Sequence, residues 1–317
     1  MDLPQNPSPQ WYPGHIAKYE RQLSSLLKLV DVVVEVLDAR LPLASTNPRL
    51  ENQIRCKPTL VVLNKSDLAD PRQNTLWRQQ LTFGEQRAIL YQAKQSANKS
   101  ARPGKTGKAL LLDEILTLGE SAWRRLESRG RKRRPLRVLV AGMPNVGKST
   151  LINSIVQRKK VKTGHRAGVT RETQWVRIHP DIELMDTPGI IPPRLESNDA
   201  GALLSCVSSI GDAAFEDEAV ATFLLERIQT LYPGIVNTYY KLDEQTPLSL
   251  PNIAEARHFR LPGDQLDTLR TAQAILTDFR HGRLGRLSLE HAPRKLANRQ
   301  TENAGKEPPD EHVEQTE

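Results

Sequence analysis

The stretch GMPNVGKS at residues 142–149 decides the fold of this chain. It matches G-x-x-x-x-G-K-[ST], the P-loop pattern, in which backbone amides surround the phosphates of a nucleotide. The apolar run 136–141 precedes it and the helix-like segment 149–156 follows it, which is the strand–loop–helix context that a P-loop requires. Glycines at 142 and 147 let the backbone turn its N–H groups towards an anion. These features predict an α/β protein with a doubly wound, mostly parallel sheet.

The P-loop supplies most of the predicted contacts with the phosphates. Lys148 is expected to reach the β- and γ-phosphates, and the Ser149 hydroxyl is expected to bind Mg²⁺. The backbone at the start of the following helix adds amide donors. The predicted nucleotide contacts in this loop are Asn145, Val146, Gly147, Lys148, Ser149 and Thr150.

A second phosphate-side motif, DTPG, begins at Asp186 directly after the apolar run 182–185. It fits D-x-x-G, in which the aspartate holds Mg²⁺ and the glycine, here Gly189, senses the γ-phosphate. Between the P-loop and this motif, Thr170 is the threonine expected to close over Mg²⁺ and the γ-phosphate, and Thr173 is an alternative. The pair of motifs predicts a nucleoside triphosphate site with bound magnesium.

A guanine-reading motif, NKSD at residues 64–67, lies before the P-loop, which reverses the usual order. It follows the apolar, β-branched run 59–63, which is typical of a buried parallel strand. Asp67 can accept hydrogen bonds from N1 and N2 of guanine, which adenine does not offer. Asn64 is expected to brace the loop and to contact the base, and the stem of Lys65 to pack over the base. Because the ligand loops of a parallel sheet all emerge at the carboxyl ends of the strands, the reversed order predicts a circularly permuted GTP-binding domain.

The last base contact in such proteins normally comes from a small residue before a lysine. Here the run 88–91 leads into Gln92-Ala93-Lys94, a degenerate match to that pattern. Ala93 is the predicted contact, and Ala97 is the alternative.

Composition restricts the class of protein and its compartment. A chain of 317 residues with 38% hydrophobic content has room for more than one globular domain. Two cysteines, Cys56 and Cys206, make neither a disulfide framework nor a zinc knuckle, which favours a reducing compartment. No apolar stretch approaches the ~18 residues of a membrane span, and the N-terminus resembles no signal peptide. A cytoplasmic monomer with no membrane partner is expected.

The charge of the chain favours a polyanionic partner. The net charge is +8, and the segment 300–317 holds six acids and one lysine, so that residues 1–299 carry +13. A body with this excess is attracted to nucleic acid. Alternatively, the basic run is a solvated linker between the two halves of the sheet. The densest basic cluster consists of Arg124, Arg125, Arg129, Arg131, Lys132, Arg133, Arg134 and Arg137.

Periodicity divides the chain into domains. The segments 15–29 and 108–126 are typical of helices and 31–37 of a strand, whereas only helical patterns follow Gly189. The apolar stripes there contain Ala219, Val220, Phe223, Leu224, Ile228 and Leu231, and then Leu266, Leu269, Ala272, Leu276 and Phe279. The predicted domains are a GTPase domain at 1–195 (guanine-reading half 1–123, basic linker 124–135, P-loop half 136–195), a small α-helical domain at 196–290 and a disordered acidic tail at 291–317.

Together with the motif order, three segments resemble the RbgA/YlqF family of circularly permuted GTPases, which assemble the large ribosomal subunit. WYPGHIAK at 11–18 is similar to the family's N-terminal signature W-[FY]-P-G-H-M-x-K, DARLP at 38–42 to its D-A-R-x-P segment, and DFRHGRLGR at 278–286 to its C-terminal block. The chain departs from the family at Ile16, at the degenerate Gln92-Ala93-Lys94 and in its acidic tail. The resemblance implies a GTPase that binds rRNA in pre-50S particles and is released on GTP hydrolysis.

The resemblance also suggests how the chain catalyses hydrolysis. Many GTPases place a water-orienting glutamine just after D-x-x-G, but this position is Ile190, which offers no hydrogen bond to a water. In the family, the histidine of the W-x-P-G-H segment is the proposed substitute, so the implied catalytic residues are His15, Lys148 and Thr170. A histidine after Pro-Gly otherwise often begins a helix. Asn145 resembles the asparagine with which related GTPases use K⁺ as a fixed positive charge.

Two other functions compete with this interpretation. A slow nucleotide-sensing scaffold that binds RNA is favoured by Ile190 and opposed by His15. A metabolic P-loop kinase is opposed by Asp67 and by the lack of a signature for an acceptor substrate.

Overall fold

The computed structural model describes residues 23–93, 107–155, 175–186, 198–209 and 216–293. The strands within these ranges are β1 (Val32–Asp38), β2 (Thr59–Asn64), β3 (Gln86–Leu90), β4 (Leu136–Ala141), β5 (Trp175–His179) and β6 (Ile182–Asp186). They form one sheet in the order β3-β2-β1-β4-β6-β5. Each apolar run that predicted a strand forms one, with ends that differ by one or two residues.

Helices cover both faces of the sheet, and the helices after β6 form a further layer. The helices of the described ranges are α1 (Pro42–Ser45), α2 (Pro48–Ile54), α3 (Pro71–Gln80), α4 (Gly107–Glu127), α5 (Lys148–Ile155), α6 (Asn198–Cys206), α7 (Asp217–Leu231), α8 (Ile235–Tyr240), α9 (Leu250–Ala256) and α10 (Thr268–Arg280). Residues 23–27 are also helical and belong to the helix predicted at 15–29. The helices predicted around α4, α5, α7 and α10 are confirmed.

Hydrogen-bond pairing explains how the permuted order still gives one site. Strand β1 is parallel to both β2 and β4, β2 is parallel to β3, and β4 is parallel to β6, whereas β5 alone of these strands runs antiparallel. Asp38 lies opposite Asn64, and Val140 lies opposite Asp186. The ends of β1, β2, β4 and β6 therefore share one edge of the sheet, which we call the carboxyl edge. The predicted fold class, a circularly permuted and mostly parallel α/β domain followed by helices, is confirmed.

The strands are buried on both faces, as their apolar composition predicts. Val32, Val34 and Val36 belong to the main core, which also contains the inner side of α4, while Val33 packs with Leu27 of the N-terminal helical segment. Because alternate residues of β1 point to opposite faces, both sets of side chains find an apolar layer. The sheet is thus fixed between two layers of helices.

The helices after β6 form an α-helical layer, and the second predicted stripe is wrong at Leu266, which precedes α10, and at Leu269. On α10, Ala272, Leu276 and Phe279 are buried, but Leu269 is 51% exposed. Leu269 lies in the first turn of α10, outside the buried face of this helix, which includes Ile275. This layer shares the main core with the sheet, because α7 and α10 belong to the same apolar cluster as β1 and β4.

Helix α4 approaches the sheet closely at a glycine. A Cβ atom at Gly119 would lie 2.1 Å from Cδ1 of Leu136 and 2.9 Å from its Cγ. Leu136 is 1% exposed and begins β4, so it has little room to move. The missing side chain at Gly119 therefore lets α4 pack directly on the strand that leads into the P-loop.

Gly119→Ala is predicted to destabilise the protein although alanine favours helices. The gain in helix propensity is about 1 kcal/mol, while overpacking of a core costs about 1 to 3 kcal/mol. We expect a net loss of about 1 kcal/mol in the free energy of unfolding, measured by urea denaturation.

The Leu136→Ala background serves as the control, because it removes the atoms with which the new Cβ would clash. There the same Gly119→Ala change should be neutral or stabilising. A stabilising effect in the presence of Leu136 would contradict the close contact.

Candidate functional site

The P-loop has the glycine-dependent geometry that its sequence predicts. Gly142 and Gly147 have φ angles of +148° and +101°, which side chains rarely allow. A Cβ on Gly142 would lie 2.3 Å from the carbonyl oxygen of Val36, and a Cβ on Gly147 would lie 2.3 Å from Nδ2 of Asn64. The loop thus depends on glycine both for its turn and for its contact with neighbouring strands.

The P-loop lysine lies within its own loop. Lys148 begins α5, is 7% exposed, and donates a hydrogen bond from Nζ to the carbonyl of Met143 at 2.9 Å. Ser149 and Thr150 follow it in the first turn of the helix. An ammonium group, the first amides of a helix and a hydroxyl thus lie together, which are the groups that bind phosphate and its metal ion.

Asn64 joins three loops of the site. Its Nδ2 donates to the carbonyl of Val146 in the P-loop at 2.8 Å, and its Oδ1 accepts from the amide of Ala93 at 3.2 Å. Asn64 is 2% exposed, so both hydrogen bonds are protected from water. The guanine motif, the P-loop and the loop after β3 therefore meet at one side chain.

Lys65 connects the guanine motif to a buried aspartate and to the P-loop. Its Nζ lies 2.9 Å from Oδ2 of Asp38 and donates to the carbonyl of Asn145, also at 2.9 Å. Arg40 donates to both carboxylate oxygens of Asp38, at 2.9 and 2.8 Å. Burial alone would raise the pKa of Asp38, but the charges of Arg40 and Lys65 outweigh it and hold that pKa well below its usual range.

Asp38 and Arg40 belong to the DARLP segment at 38–42, but the sequence pattern predicted no role for either residue. The sequence signal for such a role was an acid at the end of an apolar strand, with an arginine two residues after it. An unpaired charge there would be very costly, so a basic partner on a neighbouring strand was to be expected.

Asp67 is exposed at the carboxyl edge while its neighbours are fixed. The Ser66 amide and hydroxyl both donate to the carbonyl of Tyr91, at 3.2 and 3.0 Å, and the Leu68 amide donates to the carbonyl of Lys65 at 2.9 Å. The loop therefore presents the carboxylate of Asp67 to solvent from a held backbone, which suits the recognition of a base.

Asn145 links the P-loop to the helical layer. Its Nδ2 donates to the carbonyl of Ser208, just after α6, at 2.6 Å. A potassium ion would be bound through the amide oxygen, which takes no part in this hydrogen bond. The role of Asn145 towards potassium stays a prediction. Both Asn145 and Ser208 have a φ of +57°.

Several predicted site residues lie outside the described residues or are described only in part. His15, Thr170 and Gly189 lie outside them, as do Thr173 and Ile190. For Asp186 the structure gives the backbone, which pairs with Val140 beside the P-loop strand. The nucleotide residues that the structure does describe come together at the carboxyl edge.

The basic cluster divides into paired and unpaired residues. Arg134 binds both carboxylate oxygens of Asp31, at 2.7 and 3.1 Å, Arg133 pairs with Glu127, and Arg124 pairs with Glu120. Arg133 and Arg137 also lie over the rings of Trp123 and Trp175. Within the described ranges, the exposed Arg129, Arg131 and Lys132 have no ion pair.

The basic cluster and the nucleotide residues occupy opposite edges of the sheet. All members of the cluster except Arg137 precede Leu136, at the start of β4, whereas the P-loop follows Ala141, at its end. Asp31, which binds Arg134, likewise precedes β1. A polyanion bound by this cluster would leave the carboxyl edge accessible. None of the described helices is both long and apolar enough to cross a bilayer.

Comparison with known proteins identifies the family of this chain. The model of the family described as "50S ribosome-binding GTPase" matches residues 137–231. The chain is 35% identical to ribosome biogenesis GTPase A of Bacillus cereus over 285 residues, which cover 89% of this chain and 93% of that protein. It is 34% identical to the protein of the same name from Bacillus licheniformis, over 89% of this chain and 97% of the relative.

Solved structures of relatives show the same fold. The GNP-bound crystal structure of YlqF from T. maritima superposes with a TM-score of 0.60 at 26% identity, and covers 87% of this chain and 98% of its own. A GDP-bound YlqF structure gives a TM-score of 0.58 at 27% identity, over 86% of this chain and 99% of its own. These matches extend over both the sheet and the helices, and they confirm the resemblance found in the motifs. The chain is a GTPase and belongs to the ribosome biogenesis GTPase A family.

Proposed function

We propose that this GTPase assembles the large, 50S, ribosomal subunit by binding rRNA in pre-50S particles with GTP bound and leaving when GTP is hydrolysed. The observation that carries the proposal is the joining of the guanine motif to the P-loop through Asn64 and Lys65, in a chain similar over nearly its whole length to ribosome biogenesis GTPase A. The proposed partner, the large subunit, and the proposed cytoplasmic location follow from the role of the family in ribosome biogenesis.

The proposed nucleotide contacts follow from the carboxyl edge. Asp67 reads guanine, Lys148 binds the β- and γ-phosphates, and Ser149 with Asp186 and Thr170 holds Mg²⁺. Ser149 follows the P-loop lysine, and Asp186 ends the strand beside β4, so oxygen ligands of the kind that magnesium prefers belong to adjacent loops. Bound Mg²⁺ would neutralise charge on the phosphates. Asn145 is the proposed ligand for a K⁺ ion.

His15 is the proposed catalytic residue that replaces the missing glutamine. The helical residues 23–27 pack on the sheet through Leu23 and Leu27, and a short turn then leads into β1. The support for His15 is its place in the WYPGHIAK segment at 11–18, which resembles the family signature, and the isoleucine at 190 in the position of the usual glutamine.

The unpaired basic residues are the proposed contact with rRNA. Arg129, Arg131 and Lys132 extend from the end of the sheet remote from the nucleotide, on a body with a strong positive excess. Such residues bind nucleic acid by displacing counterions from its phosphates. Arg133 and Arg134 are already paired with Glu127 and Asp31 and are expected to contribute less.

Asp67→Asn is predicted to exchange guanine preference for xanthine preference. The amide no longer accepts from both N1 and N2 of guanine, but it can donate to the additional carbonyl of xanthine. We expect GTP to bind at least about tenfold more weakly, since hydrogen bonds to charged groups are strong, and XTP to bind more tightly than GTP. Calorimetric titration measures both. Asp243→Asn, at an exposed acid of the helical layer, is the control, and an unchanged GTP preference would exclude Asp67 as the reader.

His15→Ala is predicted to slow hydrolysis without weakening GTP binding. Loss of a group that acts only in the transition state lowers kcat and leaves KM nearly unchanged. The expected loss is about 100-fold in kcat, at the lower end of acid–base contributions. Steady-state kinetics with and without large subunits test this. An unchanged kcat combined with a lower melting temperature would mean that His15 only begins a helix.

Large subunits are predicted to stimulate GTP turnover far more than small subunits, and less as salt rises. Replacing Arg129, Arg131 and Lys132 together with glutamine should reduce the slope of log affinity against log salt by about 2 to 3, as each lost phosphate contact contributes roughly 0.7 to 0.9. Co-sedimentation with separated 30S and 50S subunits, with GDP or a non-hydrolysable GTP analogue, measures the binding.

The matched control replaces three other exposed arginines, Arg55, Arg72 and Arg78, with glutamine. It removes the same charge and should leave the salt dependence nearly unchanged. Equal stimulation by both subunits, or none by either at low salt, would contradict the assembly role. That result would favour a slow nucleotide-sensing scaffold, the function that Ile190 suggests.

A further inference from the structure

The C-terminal block at 278–286 has no role in the function described so far, although its sequence stands out. In the structure this block begins in the last turn of α10. Its final residues belong to a segment at 284–290 that runs beside the guanine motif. The Leu287 amide donates to the carbonyl of Leu68 at 3.0 Å, and the Ser288 hydroxyl accepts from the amide of Asp70 at 3.2 Å. The last described part of the chain therefore lines the back of the guanine loop.

Arg286 makes the most specific of these contacts. Its Nε donates to the carbonyl of Ala69 at 3.1 Å, and its Nη2 donates to the carbonyl of Ser66 at 2.9 Å. These two carbonyls lie on either side of Asp67 and Leu68. One planar guanidinium thus bridges the two ends of the loop segment that carries Asp67.

We propose that Arg286 is a positioning residue for guanine recognition, which holds the backbone of the loop so that Asp67 meets the base in a fixed orientation. The proposal rests on the proposed role of Asp67 as the guanine reader. Arg286 itself contacts the loop carbonyls and acts on the nucleotide only through Asp67.

The segment that carries Arg286 is firmly anchored, which a positioning residue requires. The Glu290 carboxylate accepts from the amides of Leu43 and Ala44 at 2.7 and 3.0 Å. The Leu289 amide donates to the carbonyl of Arg40 at 2.8 Å, and Leu289 is fully buried. The segment is therefore tied to the β1 side of the sheet just beyond Arg286.

Other contacts show that Arg286 completes a loop already held on its other side. The carbonyl of Ser66 also accepts from Nδ2 of Asn74 on α3, at 2.8 Å. The Ser66 amide and hydroxyl are bound to Tyr91. The carbonyls of Leu68 and Ala69, in contrast, receive their described hydrogen bonds from the C-terminal segment. Loss of Arg286 would thus remove the described hydrogen bond to the carbonyl of Ala69, in the part of the loop that follows Asp67.

The physical consequence is a change in affinity and base selectivity. A loop that is ordered before the nucleotide arrives loses less conformational entropy on binding. Guanine gains most from this order, because its exocyclic amine must meet the carboxylate, whereas hypoxanthine lacks that amine. Since the loop is remote from the γ-phosphate, the effect should appear in KM and not in kcat.

The test compares Arg286→Ala with Arg283→Ala in the full-length protein. Arg283 belongs to the same block, but it pairs with Asp278 at 2.9 Å, and Asp278 keeps a second hydrogen bond from the hydroxyl of Tyr240. Calorimetry gives the Kd for GDP and for IDP, and steady-state kinetics gives KM and kcat for GTP. Thermal unfolding reports on stability in each variant.

For Arg286→Ala we expect a Kd for GDP about tenfold higher, consistent with the loss of two hydrogen bonds from a charged donor. The preference for GDP over IDP should fall about threefold, with kcat at saturating GTP within about twofold of the wild type. Arg286→Lys should restore part of the affinity, since an ammonium group can still donate to a loop carbonyl. Arg283→Ala should leave affinity and preference unchanged.

Two results would overturn the proposal. One is an unchanged Kd for GDP in Arg286→Ala, whether or not the melting temperature falls. The other is an equal loss of affinity for GDP and IDP, which would mean that the loop does not orient Asp67 towards the amine. None of these measurements uses ribosomes, so their failure would leave the 50S assembly role untouched, and a failure of that role would leave this proposal untouched.

Discussion

The hydrogen bond from Asn64 to the carbonyl of Val146 is the contact on which the arrangement of this protein depends. It joins the end of β2 to the P-loop after β4, across a chain separation of 82 residues. Gly147 is required beside it, because a side chain there would meet the amide of Asn64. A reversed motif order leaves this contact intact, since parallel strands bring their loops to the same edge in whatever order they are made.

The buried ion pairs around Asp38 reinforce that joint. A lone carboxylate at this depth would be strongly unfavourable, but Arg40 and Lys65 together hold it in its charged form. Lys65 then reaches the P-loop carbonyl of Asn145 from the same position. The D-A-R segment therefore supports the guanine motif and the P-loop, and removing Asp38 would leave the buried guanidinium of Arg40 without its carboxylate.

The helical layer contacts the same site at two separate points. Asn145 donates to Ser208 after α6, and the segment after α10 lies along the guanine loop through Arg286 and Leu287. The hydrogen bonds at both points are accepted by backbone carbonyls, and the apolar core continues from the sheet into α7 and α10. These contacts connect the helical layer to the P-loop and to the guanine loop, which suits the proposed coupling of GTP hydrolysis to release.

The sequence by itself determined the sheet, the P-loop, the guanine motif and the family, because these depend on local patterns: apolar runs that must be buried, and glycines that only certain turns need. It did not determine which charges are paired. Arg133 and Arg134 looked equivalent to Arg131 and Lys132, yet the first two bind Glu127 and Asp31. Leu269 fitted the apolar stripe of α10, but in the structure its side chain is exposed to solvent. Only the tertiary structure revealed Asp38 and Arg286 as partners of the guanine loop, because their contacts join segments that are distant along the chain.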